Sequence, residues 1–155
     1  MRSQTCCFTG HRKIPISEKN SIKQQLRSVI VNLIKNGIIY YGCGGALGFD
    51  TLAAQVVLEL KNIYPNIKLI MVCPCKEQDK FWSEQDKERY KYILKHSDKV
   101  VYVSDTYTKE CMMKRNRHLV DNSGYCICYL KKSTGGTAYT IEYAQKNKLN
   151  IINIE

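Results

Sequence analysis

The strongest constraint on the fold of this chain is a regular alternation. Six short runs of apolar and β-branched residues are separated by segments whose apolar side chains recur at helical spacing. The runs are Thr5–Thr9, Ile38–Tyr41, Ile67–Cys73, Lys99–Val103, Tyr125–Leu130 and Leu149–Ile154. After the first, Ile22, Leu26, Val29, Ile30, Leu33 and Ile34 share one face of a helix that Ser17 opens as cap and Gly37 stops. Asp50 is placed to cap a second helix carrying Leu52, Ala53, Val56, Val57 and Leu60. Ser83 and Asp86 resemble a capping box before a third, with Tyr90, Ile93 and Leu94. Glu110–Asn122 and Gly136–Asn147 read as the remaining helices. Strands apolar on both faces and joined by helices predict a parallel sheet covered on both sides. The expectation is one α/β domain over residues 1–155, Rossmann-like and doubly wound, with a mainly parallel sheet and helices on both faces.

Ligands of such sheets sit beyond the carboxyl ends of the strands. Thr9-Gly10-His11-Arg12, Gly42 to Asp50, Cys73-Pro74, Ser104 to Tyr107 and Ser133 to Thr137 all fall at that edge. Two of these stretches are rich in glycine: Gly42-Cys43-Gly44-Gly45-Ala46-Leu47-Gly48-Phe49-Asp50 and Gly135-Gly136-Thr137. Each ends a strand-like run and opens a helix, where free backbone N–H groups favour an anion such as a phosphate. The pair predicts a pocket for a nucleotide or nucleotide-derived ligand. Gly44, Gly45, Gly48, Gly135 and Gly136 either wrap a phosphate or make tight turns. Asp50 binds a ribose hydroxyl or caps its helix, and Thr137 offers a hydroxyl to phosphate while capping its own helix. Arg12 faces the pocket or the open surface. His11 acts as acid or base, or as a hydrogen-bonded structural residue.

Two nucleotide-binding classes are disfavoured. The dinucleotide fingerprint Gly-x-Gly-x-x-Gly fails, because Leu47 stands where the third glycine belongs, and no carboxylate ends the third strand. A phosphate loop of the Gly-Lys-Ser/Thr kind is absent.

The net charge of +10, from 24 Lys and Arg against 14 Asp and Glu, suits polyanions. The basic residues are spread out, with pairs such as Arg12-Lys13 and Lys131-Lys132 the longest clusters, so a solvated basic surface competes with a nucleic-acid face. Eight cysteines form no Cys-x-x-Cys pair, and His11, His96 and His118 have no zinc spacing. Buried reduced thiols are expected, with Cys111 near a helix start as the reactive exception. No metal or required cofactor is indicated. No apolar run is long enough to span a bilayer, and a cytoplasmic location is expected. Phe81, Trp82 and Tyr107 lie in edge loops, to stack on a base or to pack.

Phe8-Thr9-Gly10-His11-Arg12, Gly44-Gly45-Ala46-Leu47-Gly48-Phe49-Asp50, Arg115-Asn116 and Gly135-Gly136-Thr137 together resemble the YpsA-like family of the SLOG superfamily. That superfamily also holds the DNA-processing protein DprA/Smf and the lonely-guy cytokinin-activating enzymes. The resemblance implies a Rossmann-like fold, a nucleotide pocket and, from related proteins, a homodimer. The DprA kinship adds single-stranded nucleic acid as an alternative partner. Lonely-guy enzymes hydrolyse the N-glycosidic bond of nucleoside monophosphates through an Arg, a strand and Gly-Gly-x-Gly-Thr-x-x-Glu. Arg115 matches the Arg, and its guanidinium suits a phosphate. The carboxylate departs from the pattern: three residues after Thr137 stands Thr140, and Glu142 is the next acidic side chain. The resemblance thus implies catalytic roles for Arg115 and Glu142 only in a phosphoribosyl hydrolase that lacks its carboxylate in the usual place. Binding by a sensor or regulator is the reading it favours.

Overall fold

A computed structural model describes residues 2–132 and 134–155, so Ser133 of the second glycine turn lies outside the described residues. The six strands are β1 (Thr5–Gly10), β2 (Tyr40–Cys43), β3 (Lys68–Cys73), β4 (Lys99–Tyr102), β5 (Tyr125–Tyr129) and β6 (Asn150–Asn153). They form one sheet in the order β4-β3-β2-β1-β5-β6, with every neighbouring pair parallel. The joining helices are α1 (Ile16–Lys35), α2 (Phe49–Lys61), α3 (Glu84–His96), α4 (Cys111–Asp121) and α5 (Gly136–Lys146). The Rossmann-like α/β class predicted from the alternation is the fold.

Alternate side chains along each strand serve two cores. Cys6, Phe8, Tyr41, Leu69, Met71 and Ile127 face α1–α3, where Leu26, Ile30, Val56, Val57 and Ile93 cover them. Cys7, Val72, Cys126 and Cys128 face the other way, towards Leu119, Val120, Ile141 and Ala144 of α4 and α5. The strand order grows outward from β1 through β4, then restarts on the other side of β1 with β5. The loops after β1 and β5 therefore diverge to opposite faces, and the crevice between them is the topological switch point where open α/β sheets bind ligands.

All eight cysteines are buried free thiols. That matches the small-apolar reading and corrects the expectation of a reactive Cys111, which is fully buried at the start of α4 beside Cys75. No described helix is long and apolar enough to cross a membrane. Among the described residues no group of three His, Cys, Asp or Glu side chains is placed to hold a metal ion.

Most element ends move by a residue or so, and three residues there take parts other than those expected. The first helix is capped by Pro15, and Ser17 lies inside it. β2 begins at Tyr40 because Ile38, just past the end of α1, is used to close that helix. The Gly37 N–H donates to the Ile34 carbonyl and the Ile38 N–H to the Leu33 carbonyl, a Schellman closure that tucks Ile38 into the core. Asp50 does not cap α2. The cap position is Gly48, and Asp50 sits within the first turn, with its carboxylate accepting from the Ala46 N–H at 3.2 Å.

Candidate functional site

The loops after β1, β2 and β5 and the first two turns of α4 enclose a cavity of about 450 Å³ at the switch point. Gly10, His11, Arg12, Asp50, Arg115, Gly135, Gly136 and Thr137 line it, joined by Lys109, Met112, Asn116 and Lys132. Residues more than a hundred positions apart in the chain thus meet in one hollow. A separate, largely apolar hollow of about 360 Å³ lies among Ile70, Val72, Val101 and Leu119, away from the glycine turns.

The two glycine turns play different parts. In the first, the glycines make room for protein. A Cβ on Gly44 would stand 2.7 Å from the guanidinium carbon of Arg115, and one on Gly45 2.9 Å from the Tyr90 ring. Gly48 has φ 78° and ψ −119°, a mirror-image β conformation available in practice to glycine alone, and its open side is filled by the Arg12 carbonyl. A Cβ on Gly10 would run into the Phe49 ring. The expectation that Gly44, Gly45 and Gly48 wrap a phosphate is therefore corrected: none of the three lines the cavity. From this turn only Ala46 and the nearby Asp50 reach it.

The second turn is open. Among the described residues, a Cβ on Gly135 or Gly136 would meet nothing within 4 Å. Gly135 has φ 100° and ψ −174°, a glycine conformation, and caps α5 without any side-chain hydrogen bond. The first N–H groups of a helix have no partner within it. Here they open towards the cavity, and Thr137 stands in the first turn rather than at the cap position.

Arg115 is buried, at 4% exposure. Its Nη1 donates to the Gly44 carbonyl, its Nε donates to Asn116 Oδ1 at 2.8 Å, and its Nη2 lies 3.8 Å from the Met112 sulfur. Gln78 Nε2 donates to the same Gly44 carbonyl at 3.3 Å. Arg115 thus braces the first turn and at the same time forms part of the cavity wall. Asn116, whose oxygen accepts from Arg115, also lines the cavity. Arg12, Lys109 and Lys132 add positive charge, and among the described residues Asp50 is the only carboxylate lining the hollow. Asp50 is buried, which pushes its pKa up to about 6, although Arg115, the Ala46 N–H and Arg12 pull the other way.

His11 ties two edge loops together. Its Nε2 accepts from the Lys131 N–H at 2.7 Å, and its carbonyl accepts from the Phe49 N–H at 3.1 Å. Burial and the nearby Lys132 charge lower its pKa. The structural reading of His11 is the one the geometry supports. Because the folded pKa is lowered, the tether is present above the ordinary histidine range and is lost as pH falls through the folded value. Acidification should move the Lys131 amide resonance with the His11 ring protons in one titration. A Lys131 amide that ignores the His11 titration would show that the tether is absent.

Glu142 is on the outer face of α5, paired with Lys146 at 3.8 Å and largely exposed, and it does not line the cavity. Thr140, in the place of the lonely-guy carboxylate, is buried and donates to the Gly136 carbonyl at 2.8 Å. Trp82 packs edge-on against Tyr90 with centroids 5.2 Å apart, while Phe81 and Tyr107 are exposed. Lys109, Met112 and Lys132 were missed by sequence reading. The signal for Met112 and Lys109 was their position just before Arg115 on the same helix and its approach loop.

The fold and this cavity define a Rossmann-like domain of the SLOG type. The model of the YpsA family, described as the YspA SLOG family, matches residues 6–154, and the chain belongs to that family. The uncharacterised SPbeta prophage-derived protein YoqJ of Bacillus subtilis is 34% identical over 141 residues, covering 83% of this chain and 82% of that protein. A UPF0398 protein of Halalkalibacterium halodurans is 31% identical over 130 residues, covering 82% of this chain and 69% of its own length. Among solved structures, DNA processing protein A of Helicobacter pylori, described for its single-stranded DNA binding mode, superposes with a TM-score of 0.69 at 20% identity. That likeness covers 98% of this chain and 65% of the other. DNA processing protein A of Streptococcus pneumoniae gives a TM-score of 0.69 at 18% identity, with 97% of this chain and 50% of that one covered. The chain thus spans between half and two thirds of these longer proteins, and the likeness is one of fold.

Proposed function

We propose that the switch-point cavity binds a nucleotide or nucleotide-derived ligand through its phosphate. The observation that carries this reading is the uncapped start of α5, opening with bare glycines onto a donor-rich hollow that contains one carboxylate. A phosphate accepts from the first N–H groups of α5 and from Arg12, Arg115 and Lys132. Asp50 accepts from ribose hydroxyls. Required metal plays no part in the proposal.

Binding is favoured over hydrolysis. Departure of a sugar leaves a cationic centre that a carboxylate must stabilise. Thr140 occupies the place of that carboxylate and Glu142 faces solvent. A panel of nucleoside mono-, di- and triphosphates, read by thermal shift and by chromatography of the incubated ligand, tests both points. One or more nucleotides should stabilise the wild type with no free base released, and Gly136→Val should lose the shift while keeping its own Tm. A panel without any shift, or steady release of base, would overturn the reading.

A second reading is single-stranded nucleic acid, the partner named for the Helicobacter pylori protein. The observation in its favour is that Arg12-Lys13 and Lys131-Lys132, far apart in the chain, come together beside His11 at one edge.

A further inference from the structure

Three hollows at the carboxyl edge of the sheet share one residue, Arg12. It lines the switch-point cavity, a groove of about 460 Å³ running past the first turns of α2 and α3, and an open hollow of about 730 Å³ against β5. Lys13 lines the last two, and Lys132 lines the cavity and the β5 hollow. The loop after β1 is therefore the hub of one continuous concave surface rather than the wall of a single pocket.

Basic residues outnumber acidic ones along that surface, where the acids among the described lining residues are Asp50 in the cavity, Glu18 in the β5 hollow and Asp86 in the groove. In the groove Lys13, Lys19 and Arg89 join Arg12, and the single acid, Asp86, is held by Arg89 at 3.0 Å. Just before α3, the helix whose Asp86 and Arg89 line the groove, the chain carries an exposed ring. Phe81 is 91% exposed and lies two residues before Ser83, the cap of α3. Its recorded ring partner is the Lys80 ammonium, 5.4 Å from the centroid, whereas the adjacent Trp82 is packed on Tyr90. A bare aromatic ring flanked by lysine, on the approach to a helix that lines a cationic groove, is what a stack of unpaired bases requires, the groove taking the phosphates and the ring a base face. A duplex buries its base faces and offers nothing to Phe81.

We propose that the surface from the cavity over Arg12 and Lys13 to Phe81 is a track for single-stranded nucleic acid, with Phe81 as a stacking residue. This deepens the second reading above and rests on it. The charge matches: the chain carries +10, and the track gathers cations from the β1 loop, α1 and α3. The cavity holds the nucleotide at one end of the track.

The test is fluorescence anisotropy with a fluorescein-labelled oligothymidine of about 20 nucleotides, long enough to exceed one domain's site, against the same length of duplex. The single strand should bind at about 50 mM salt with affinity that falls steeply as salt rises. Phe81→Ala should weaken binding by on the order of tenfold with little change in salt slope. Lys13→Glu/Lys19→Glu should weaken it by more than tenfold and flatten the slope. Neither variant alters the cavity, so both should keep the wild-type Tm and thermal shift with mononucleotides. No binding of the single strand, equal binding of duplex, or variants that bind like wild type would overturn the proposal. In the wild type, a mononucleotide shift without oligothymidine binding sinks the nucleic-acid reading and spares the cavity, oligothymidine binding without a mononucleotide shift sinks the cavity, and oligothymidine binding that neither variant weakens sinks the track alone.

Discussion

Gly48→Ala should cost about 3 kcal/mol or more, while Gly136→Ala folds like the wild type. Gly48 combines two demands. Its φ of 78° lies in a region that costs a residue with a Cβ about 1–3 kcal/mol. Its missing Cβ is also replaced by the carbonyl oxygen of Arg12. That neighbour is backbone, and it belongs to the same loop whose His11 carbonyl accepts from the Phe49 N–H. The loop cannot step aside without breaking that bond, so overpacking adds about 1–3 kcal/mol. For a domain of this size the sum corresponds to a fall in Tm of roughly 10 °C. Gly136 has open space around its Cβ position and needs no positive φ, so alanine there is accommodated and is a better helix former. Equal melting temperatures for the two variants would remove the distinction between a structural first turn and an open second one.

That distinction was not legible in the sequence. Both turns are strand-to-helix connections rich in glycine, and local pattern treats them alike. What separates them is long-range: Arg115 comes up from α4 beneath Gly44, Tyr90 comes from α3 beneath Gly45, and Arg12 folds over Gly48. Among the described residues nothing comparable covers Gly135 and Gly136. The alternation of strands and helices was legible because each element must bury its own apolar stripe, and the doubly wound sheet follows from strands such as β5, buried on both faces. Element ends were less so. Ile38 looks like a strand residue because it is β-branched and apolar, but its burial is used to close α1. Asp50 looks like a cap because capping is a property of sequence position, whereas its burial and its proximity to Arg115 depend on the assembled sheet edge. The basic pairs Arg12-Lys13 and Lys131-Lys132 read as scattered charge, yet parallel pairing of β1 with β5 brings their loops together.

Asp50→Asn should raise stability at neutral pH and weaken nucleotide binding at the same time. Burial lifts the Asp50 pKa to about 6 in the folded protein, against about 3.9 in an unfolded chain. Between those values the folded state holds the more protons, so stability falls as pH rises from about 4 to about 6 and then levels. The full difference is on the order of 3 kcal/mol, with the opposing pull of Arg115 already contained in the folded value. Asparagine keeps an acceptor for the Ala46 N–H and does not titrate, so the variant should melt higher than wild type at pH 7.5 and show no loss across the acid window. A buried carboxylate that destabilises its own fold is the kind of group retained for what it binds. The anion site sharpens this. Removing the negative charge should strengthen inorganic phosphate, which meets only the donors, yet weaken a nucleoside phosphate by roughly tenfold, because a neutral acceptor holds ribose hydroxyls less well than a charged one. Isothermal titration of both ligands against wild type and variant reads the two signs directly. Tighter binding of both would assign Asp50 to electrostatic tuning of the anion site, and an unchanged pH profile of stability would place its ionisation outside the buried floor of the cavity.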